Sequence, residues 1–153
     1  MIINKYKTCA ITGHRQIDLD LDYKYLERVL EQIIKKGFDT FLIGMAIGFD
    51  TICFKMLYKL KQKYDIKLVA CVPFPEQAEK FSISQKEEYE SLLEKADHIE
   101  IISQKYYKGC MRKRNEFMID NAIALVAYAK KEKSGAMQTY NMAIKKGLAV
   151  LKI

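Results

Sequence analysis

Short apolar runs and amphipathic stretches alternate along the whole chain. The runs Tyr6–Thr12, Asp39–Ile43, Ile66–Val72, His98–Ile102, Ala122–Tyr128 and Leu148–Ile153 predict six strands. Between the first two, Tyr23–Lys36 carries Leu26, Val29, Leu30, Ile33 and Ile34 at helical spacing, and Gly37 follows as a C-cap. Thr51–Tyr64, Ser84–Ala96, Lys113–Asn121 and Gly135–Lys146 predict four more helices. Ser84, with Glu87 and Glu88 in the next turn, is the expected cap region of the third helix. Pro73 and Pro75 stop the strand before it. Strands that are apolar throughout need cover on both faces, and strand–helix alternation makes neighbouring strands parallel. The expected fold class is therefore α/β, a single Rossmann-like doubly wound domain over residues 1–153 with a mainly parallel sheet flanked by helices.

Composition agrees with one compact unit. Of 153 residues, 50% are hydrophobic, with 7 Gly and 2 Pro, which suits a sizeable core and leaves no long disordered tract. No apolar run approaches the roughly 20 residues that a membrane helix needs. Met1-Ile2-Ile3-Asn4-Lys5 leads into the first strand without a signal-peptide pattern, so a cytoplasmic protein with no membrane partner is expected. Cys9, Cys53, Cys71 and Cys110 form no C-x-x-C pair, and no metal site is expected from them. Three lie in apolar contexts as small hydrophobes, and Cys110, in a basic segment, is the expected reactive thiol. The net charge of +7 favours anionic partners, although scattered lysines also serve simply as a solvated surface.

In a doubly wound sheet, ligands bind outside the carboxyl ends of the strands. The glycines and polar residues of this chain collect there. Thr12-Gly13-His14-Arg15 follows the first strand, as a ligand-binding turn or a capped turn with exposed charges. Gly44-Met45-Ala46-Ile47-Gly48-Phe49-Asp50 follows the second, and glycines leading into a helix start are suited to phosphate. Asp50 can cap that helix, hold a ribose hydroxyl or act as acid or base. Met45 and Phe49 are packing candidates. Phe74, in Pro73-Phe74-Pro75-Glu76-Gln77, can stack on a base or lid the core. The stretch from Ser103 to Asn115 is the most basic, with Tyr106 and Tyr107 interleaved. It suits phosphate capture by arginine, stacking of single-stranded nucleic acid, or plain solvation. Ser134-Gly135-Ala136-Met137-Gln138-Thr139 opens the last helix as a second anion cradle or as simple capping by Ser134. Five such turns at one sheet edge point to one shared site.

These motifs occur in the order seen in YpsA-like proteins, and the chain resembles that family of the SLOG superfamily over nearly its whole length. The superfamily also holds the LOG-type phosphoribohydrolases and the DNA-processing protein DprA. The resemblance implies a site for a nucleotide or nucleotide-derived small molecule, no required cofactor and a homodimer or higher homo-oligomer. It makes Gly13, Arg15, Gly44, Gly48, Ser134, Gly135 and Thr139 phosphate-binding candidates. It likens Arg114, beside Asn115, to the arginine that LOG-type enzymes place before their substrate-binding helix. Two departures bear on chemistry. Ser134-Gly135-Ala136 stands where the family usually has Gly-Gly-Thr, and Tyr140-Asn141 follows Thr139 where LOG-type enzymes carry a glutamate. The general acid/base best placed for cleaving an N-glycosidic bond is thereby absent, leaving Asp50 or Asp120 as substitutes. The expectation is a nucleotide-binding sensor or regulatory protein, with a LOG-type phosphoribohydrolase or DprA-like binding of single-stranded DNA as alternatives. Asp50 and Arg114 are the candidates for any catalytic role.

Overall fold

The computed structural model describes residues 1–153. Its strands are β1 (Thr8–Gly13), β2 (Thr40–Ile43), β3 (Lys67–Val72), β4 (His98–Ile101), β5 (Ala124–Tyr128) and β6 (Ala149–Lys152). The helices between them are α1 (Tyr23–Lys35), α2 (Phe49–Leu60), α3 (Ile83–Lys95), α4 (Cys110–Asp120) and α5 (Gly135–Lys145). The strands form one sheet in the order β4-β3-β2-β1-β5-β6, and every pairing is parallel rather than mainly so.

Side chains alternate across that sheet. Cys9, Ile11, Phe41, Ile43, Leu68, Ala70, Val126 and Tyr128 face one core, which α1, α2 and α3 close with Leu26, Leu30, Phe54, Leu57 and Leu92. Ala10, Leu42, Val69, Cys71, Leu125 and Ala127 face the other, closed by Met118 and Ile119 of α4 and Ala143 of α5. The small residues on this second face let two helices lie close to the strands. No helix is long and apolar enough to cross a membrane.

Several element starts differ from the pattern-based expectation, each for a local reason. Lys5–Lys7 form a short 3₁₀ turn in which the Asn4 side chain accepts from the Tyr6 N–H, so β1 begins at Thr8. Helix α2 begins at Phe49 rather than Thr51, because Gly48 takes the cap position. Ser82, not Ser84, caps α3: its hydroxyl accepts from the Gln85 N–H while the Gln85 side chain accepts from the Ser82 N–H. Helix α4 begins at Cys110, three residues before the expected Lys113, with Gly109 at φ 99° entering the first turn. That shift brings Met111 into the helix, on the face that carries Arg114 and Asn115.

The strand order reverses between β1 and β5, which lie side by side although β2, β3 and β4 separate them in sequence. The loops leaving these two strands run to opposite faces of the sheet. A crevice at their carboxyl ends is the consequence.

Candidate functional site

The crevice is a cavity of about 310 Å³. It is lined by Thr12, Gly13, His14 and Arg15 after β1, by Gly44, Ala46 and Asp50 after β2, by Arg114 and Asn115 of α4, and by Ser134 and Gly135 at the start of α5. Four of the five motif-bearing turns therefore meet. The fifth, after β3, lines an adjoining hollow of about 510 Å³ that shares Arg15 and Met111 with the first. Phe74 belongs to this second hollow, half-buried and packed edge-on against Tyr106 at 5.3 Å between ring centres.

Gly48 and Thr139 are not brought to the cavity wall. Gly48 sits at φ 84°, and a β-carbon there would lie 2.2 Å from the Arg15 carbonyl oxygen. The backbone of the first loop thus packs on it. Thr139 is fully buried, its hydroxyl donating back to the Gly135 carbonyl at 3.0 Å. Gly13 lines the cavity, but its missing side chain serves Phe49: a β-carbon would lie 2.4 Å from that ring, which stacks on Tyr128 at 5.4 Å.

The centre of the site is a clamp on the Gly44–Ala46 backbone. Arg114 Nη1 donates to the Gly44 carbonyl and, at 3.5 Å, to the Cys71 carbonyl, while its Nε donates to Asn115 Oδ1 at 2.9 Å. Its Nη2 has no partner within the protein and is not sealed from the cavity. Gln77 Nε2 donates to the same Gly44 carbonyl at 3.2 Å, and the Tyr89 hydroxyl donates to Gln77 Oε1 at 3.4 Å. The Ala46 N–H donates to Asp50 Oδ2 at 3.1 Å, and the Thr51 hydroxyl donates to the Ala46 carbonyl at 3.2 Å. Between these anchors Met45 is held at φ 64°, the one non-glycine residue with positive φ. Such a conformation persists only where its surroundings fix it, and here both flanking peptides are fixed.

Asp50 is therefore not the cap of α2 but a buried carboxylate in its first turn, 5% exposed. Its Oδ1 is the one buried side-chain oxygen or nitrogen without a hydrogen-bond partner. Burial pushes its carboxyl up to about 6, partly offset by the charge of Arg114 and the Ala46 N–H. Burial likewise lowers Arg114 from its ordinary value, with Asp50 opposing the shift.

His14 is committed elsewhere. Its Nε2 accepts from the Lys130 N–H at 2.7 Å and the Lys131 N–H at 3.2 Å, so Nδ1 carries the proton. Its main role is to tie the loop after β1 to the loop after β5. At the start of α5, the Ser134 hydroxyl accepts from the Met137 N–H at 3.1 Å and donates to the Lys131 carbonyl. The N–H groups of Gly135 and Ala136, both at the cavity wall, precede the first residue able to find a helical partner. With Arg15 and Arg114 they give the cavity a positive lining around one orphaned carboxylate oxygen.

Two expectations are corrected. Cys110 is not an accessible thiol in a basic loop; it is fully buried as the first residue of α4. Asp120 ends α4 far from the cavity, paired with Lys146, and offers no acid/base group there. Two residues inside the motifs contribute to the site although neither was expected as a site residue. Met111 lines both hollows one helical turn before Arg114, and Gln77 is the tether across to β2. The spacing Met111, Arg114, Asn115, Met118 is a single helix stripe once α4 begins at Cys110, and that is the signal that would have found Met111.

An all-parallel sheet covered on both faces, with its cavity at the strand-order reversal, defines an α/β protein of Rossmann-like architecture. The chain belongs to the YpsA family: the family model, described as the YspA SLOG family, matches residues 9–149. It is similar to the UPF0398 protein of Bacillus thuringiensis (strain Al Hakam), 28% identical over 153 aligned positions covering 92% of this chain and 83% of that one. The UPF0398 protein of Bacillus cereus (strain G9842) is 28% identical over 143 positions, covering 85% and 78%. Among solved structures, the chain is similar to DprA from Streptococcus pneumoniae, with a TM-score of 0.73 and 18% identity over 97% of this chain. It is also similar to DprA from Helicobacter pylori, whose structure is described for its single-stranded DNA binding mode, with a TM-score of 0.71 and 17% identity over 97% of this chain. The chain spans 50% and 65% of the lengths of these two DprA chains, and at such identities the likeness is one of fold.

Proposed function

We propose that the protein binds a nucleotide or nucleotide-derived small molecule in the cavity at the β1–β5 reversal, as a sensor or regulatory protein. One observation carries this reading. A single cavity brings together two arginines, the open first turn of α5 and the unpartnered Oδ1 of a buried aspartate. A phosphate group satisfies the cationic side, because guanidinium and free helix N–H groups both favour an anion. A sugar hydroxyl satisfies Asp50, because a buried acceptor without a donor is costly. The volume lies at the low end of the roughly 300–1,000 Å³ typical of small-molecule pockets. The fold shared with two DprA chains is in keeping with a ligand of nucleic-acid chemistry.

Two specific observations support other readings. The carboxyl of Asp50, raised to about 6, is tuned towards acid/base work at neutral pH, which favours an N-glycosidic phosphoribohydrolase. Exposed Tyr106 and Tyr107, among Lys105, Lys108, Arg112 and Lys113 beside the cavity, favour single-stranded DNA, as does the single-stranded DNA binding of the Helicobacter pylori DprA. Binding is preferred because Asp50 is the one carboxylate at the cavity wall, and the other acid/base side chain there, His14, has its Nε2 taken up by the Lys130 and Lys131 N–H groups.

Isothermal titration with mononucleotides, dinucleotides, cyclic nucleotides and a single-stranded oligonucleotide tests the three readings. The binding reading expects a saturable mononucleotide or dinucleotide heat, lost in Arg114→Ala, with no free base released. Release of base that disappears in Asp50→Asn would favour the hydrolase. Oligonucleotide affinity falling steeply with salt, without mononucleotide binding, would favour the DNA reading.

A further inference from the structure

The second hollow has a chemistry unlike the first. Its walls include an aromatic corner, Phe74 against Tyr106, and the carboxylates of Glu76 and Glu79 on the turn after β3, with Lys80, Gln77 and Gln85 completing the polar lining. Neither carboxylate takes part in an ion pair or a side-chain hydrogen bond, although both belong to a chain rich in lysine. Arg15 and Met111 border both hollows, so the two adjoin at these side chains.

An aromatic corner offers a face to a planar ring, and free carboxylates accept from donors and repel lone pairs, so an amino group suits them better than a ring N–H beside a carbonyl oxygen. We infer that this hollow is the base-recognition subsite of the same cleft, and that it selects a nucleobase bearing an exocyclic amino group over one bearing only carbonyls. The inference rests on the nucleotide reading above. The sugar and phosphate occupy the Arg114–Ser134 side, the base lies against Phe74 and Tyr106, and its amino group donates to Glu76 or Glu79.

Titration of the full chain with ribose 5-phosphate, AMP, CMP, IMP and UMP separates this inference from its foundation. AMP or CMP is expected to bind about tenfold more tightly than IMP or UMP, the effect of one hydrogen bond to a charged group, and ribose 5-phosphate to bind weakly without using the second hollow. Tyr106→Ala, at a 64% exposed position that leaves folding intact, should weaken AMP about tenfold and leave ribose 5-phosphate unchanged. The double variant Glu76→Gln/Glu79→Gln should erase the preference for amino-bearing bases. Binding of ribose 5-phosphate with equal affinity for all four nucleotides, or a Tyr106→Ala loss shared by ribose 5-phosphate, would overturn the subsite and leave the nucleotide reading standing. Failure of every probe to bind would overturn both.

Discussion

Arg114 and Asp50 face each other across the Cα of Gly44 without forming an ion pair. A β-carbon at position 44 would lie 3.1 Å from Arg114 Cζ and 3.2 Å from Asp50 Oδ2. Each side chain instead holds a different peptide group of the same turn, Arg114 the Gly44 carbonyl and Asp50 the Ala46 N–H. Both are buried, and each moderates the other's cost of burial. Breaking such an arrangement by removing one charge typically costs about 3–5 kcal/mol, because the remaining charge loses its compensation. Arg114→Leu should therefore be strongly destabilising. Adding Asp50→Asn should recover part of the loss, with a coupling energy above about 1 kcal/mol in a urea-unfolding double-mutant cycle. Strict additivity would sink the idea that the two charges communicate.

Two glycines with positive φ should respond differently to alanine. Gly109 has φ 99° and open space around it, so Gly109→Ala meets only the left-handed backbone penalty of about 1–2 kcal/mol. Gly48 has φ 84° and the Arg15 carbonyl oxygen 2.2 Å from its would-be β-carbon, so Gly48→Ala must also move backbone. Each kcal/mol corresponds to about 2–4 °C for a chain of this size. Thermal melts should show a clearly larger drop for Gly48→Ala. Equal drops would contradict the close approach of the two loops.

This contrast bears on what was legible in the sequence. The six strands, five helices and their alternation follow from apolar periodicity, and the sheet edge bearing the ligand chemistry follows from the alternation. The glycine at 48 was equally visible, but its role was not: contact with a backbone 33 residues earlier in the chain leaves no local pattern. The start of α4 was missed because Cys110 and Met111 follow Gly109 in a polar, basic stretch where periodicity is weak. Arg114 and Asn115 stood out as residues, yet the clamp they form with Gly44 and Gln77 depends on three loops meeting. Asp50 kept three possible roles until its burial and its unpartnered oxygen narrowed them.

Asp50 should make the protein less stable as pH rises through the weakly acidic range. Its carboxyl ordinarily titrates at 3.8 and is raised to about 6 in the fold. Between these values the native state holds the proton more tightly than the unfolded chain. Stability from this group is present at low pH and is lost as pH rises towards 6. The shift corresponds to about 3 kcal/mol by linkage. In urea unfolding, the stability of Asp50→Asn relative to wild type should increase from pH 4 to pH 6 and level off above. A difference that stays constant across that range would show the carboxyl to be unshifted.

His14 acts in the opposite direction over a neighbouring range. Burial, reinforced by Lys131, lowers its ring below the ordinary 6.5. Its Nε2 accepts two backbone N–H groups, and protonation converts that acceptor into a donor. The stability it contributes is fully present above 6.5 and is lost as pH falls through the lowered folded value. The loss is local: it frees the loop after β5, which leads into the first turn of α5 at the cavity. Amide hydrogen exchange should therefore show Lys130 and Lys131 protected at neutral pH and unprotected once His14 is charged. Using Asp50→Asn as the background removes the opposing carboxylate contribution, so the acid-side loss should appear there undiluted. Protection of both amides that persists after NMR of the His14 ring shows it protonated would mean that the β1–β5 tie does not depend on the neutral ring.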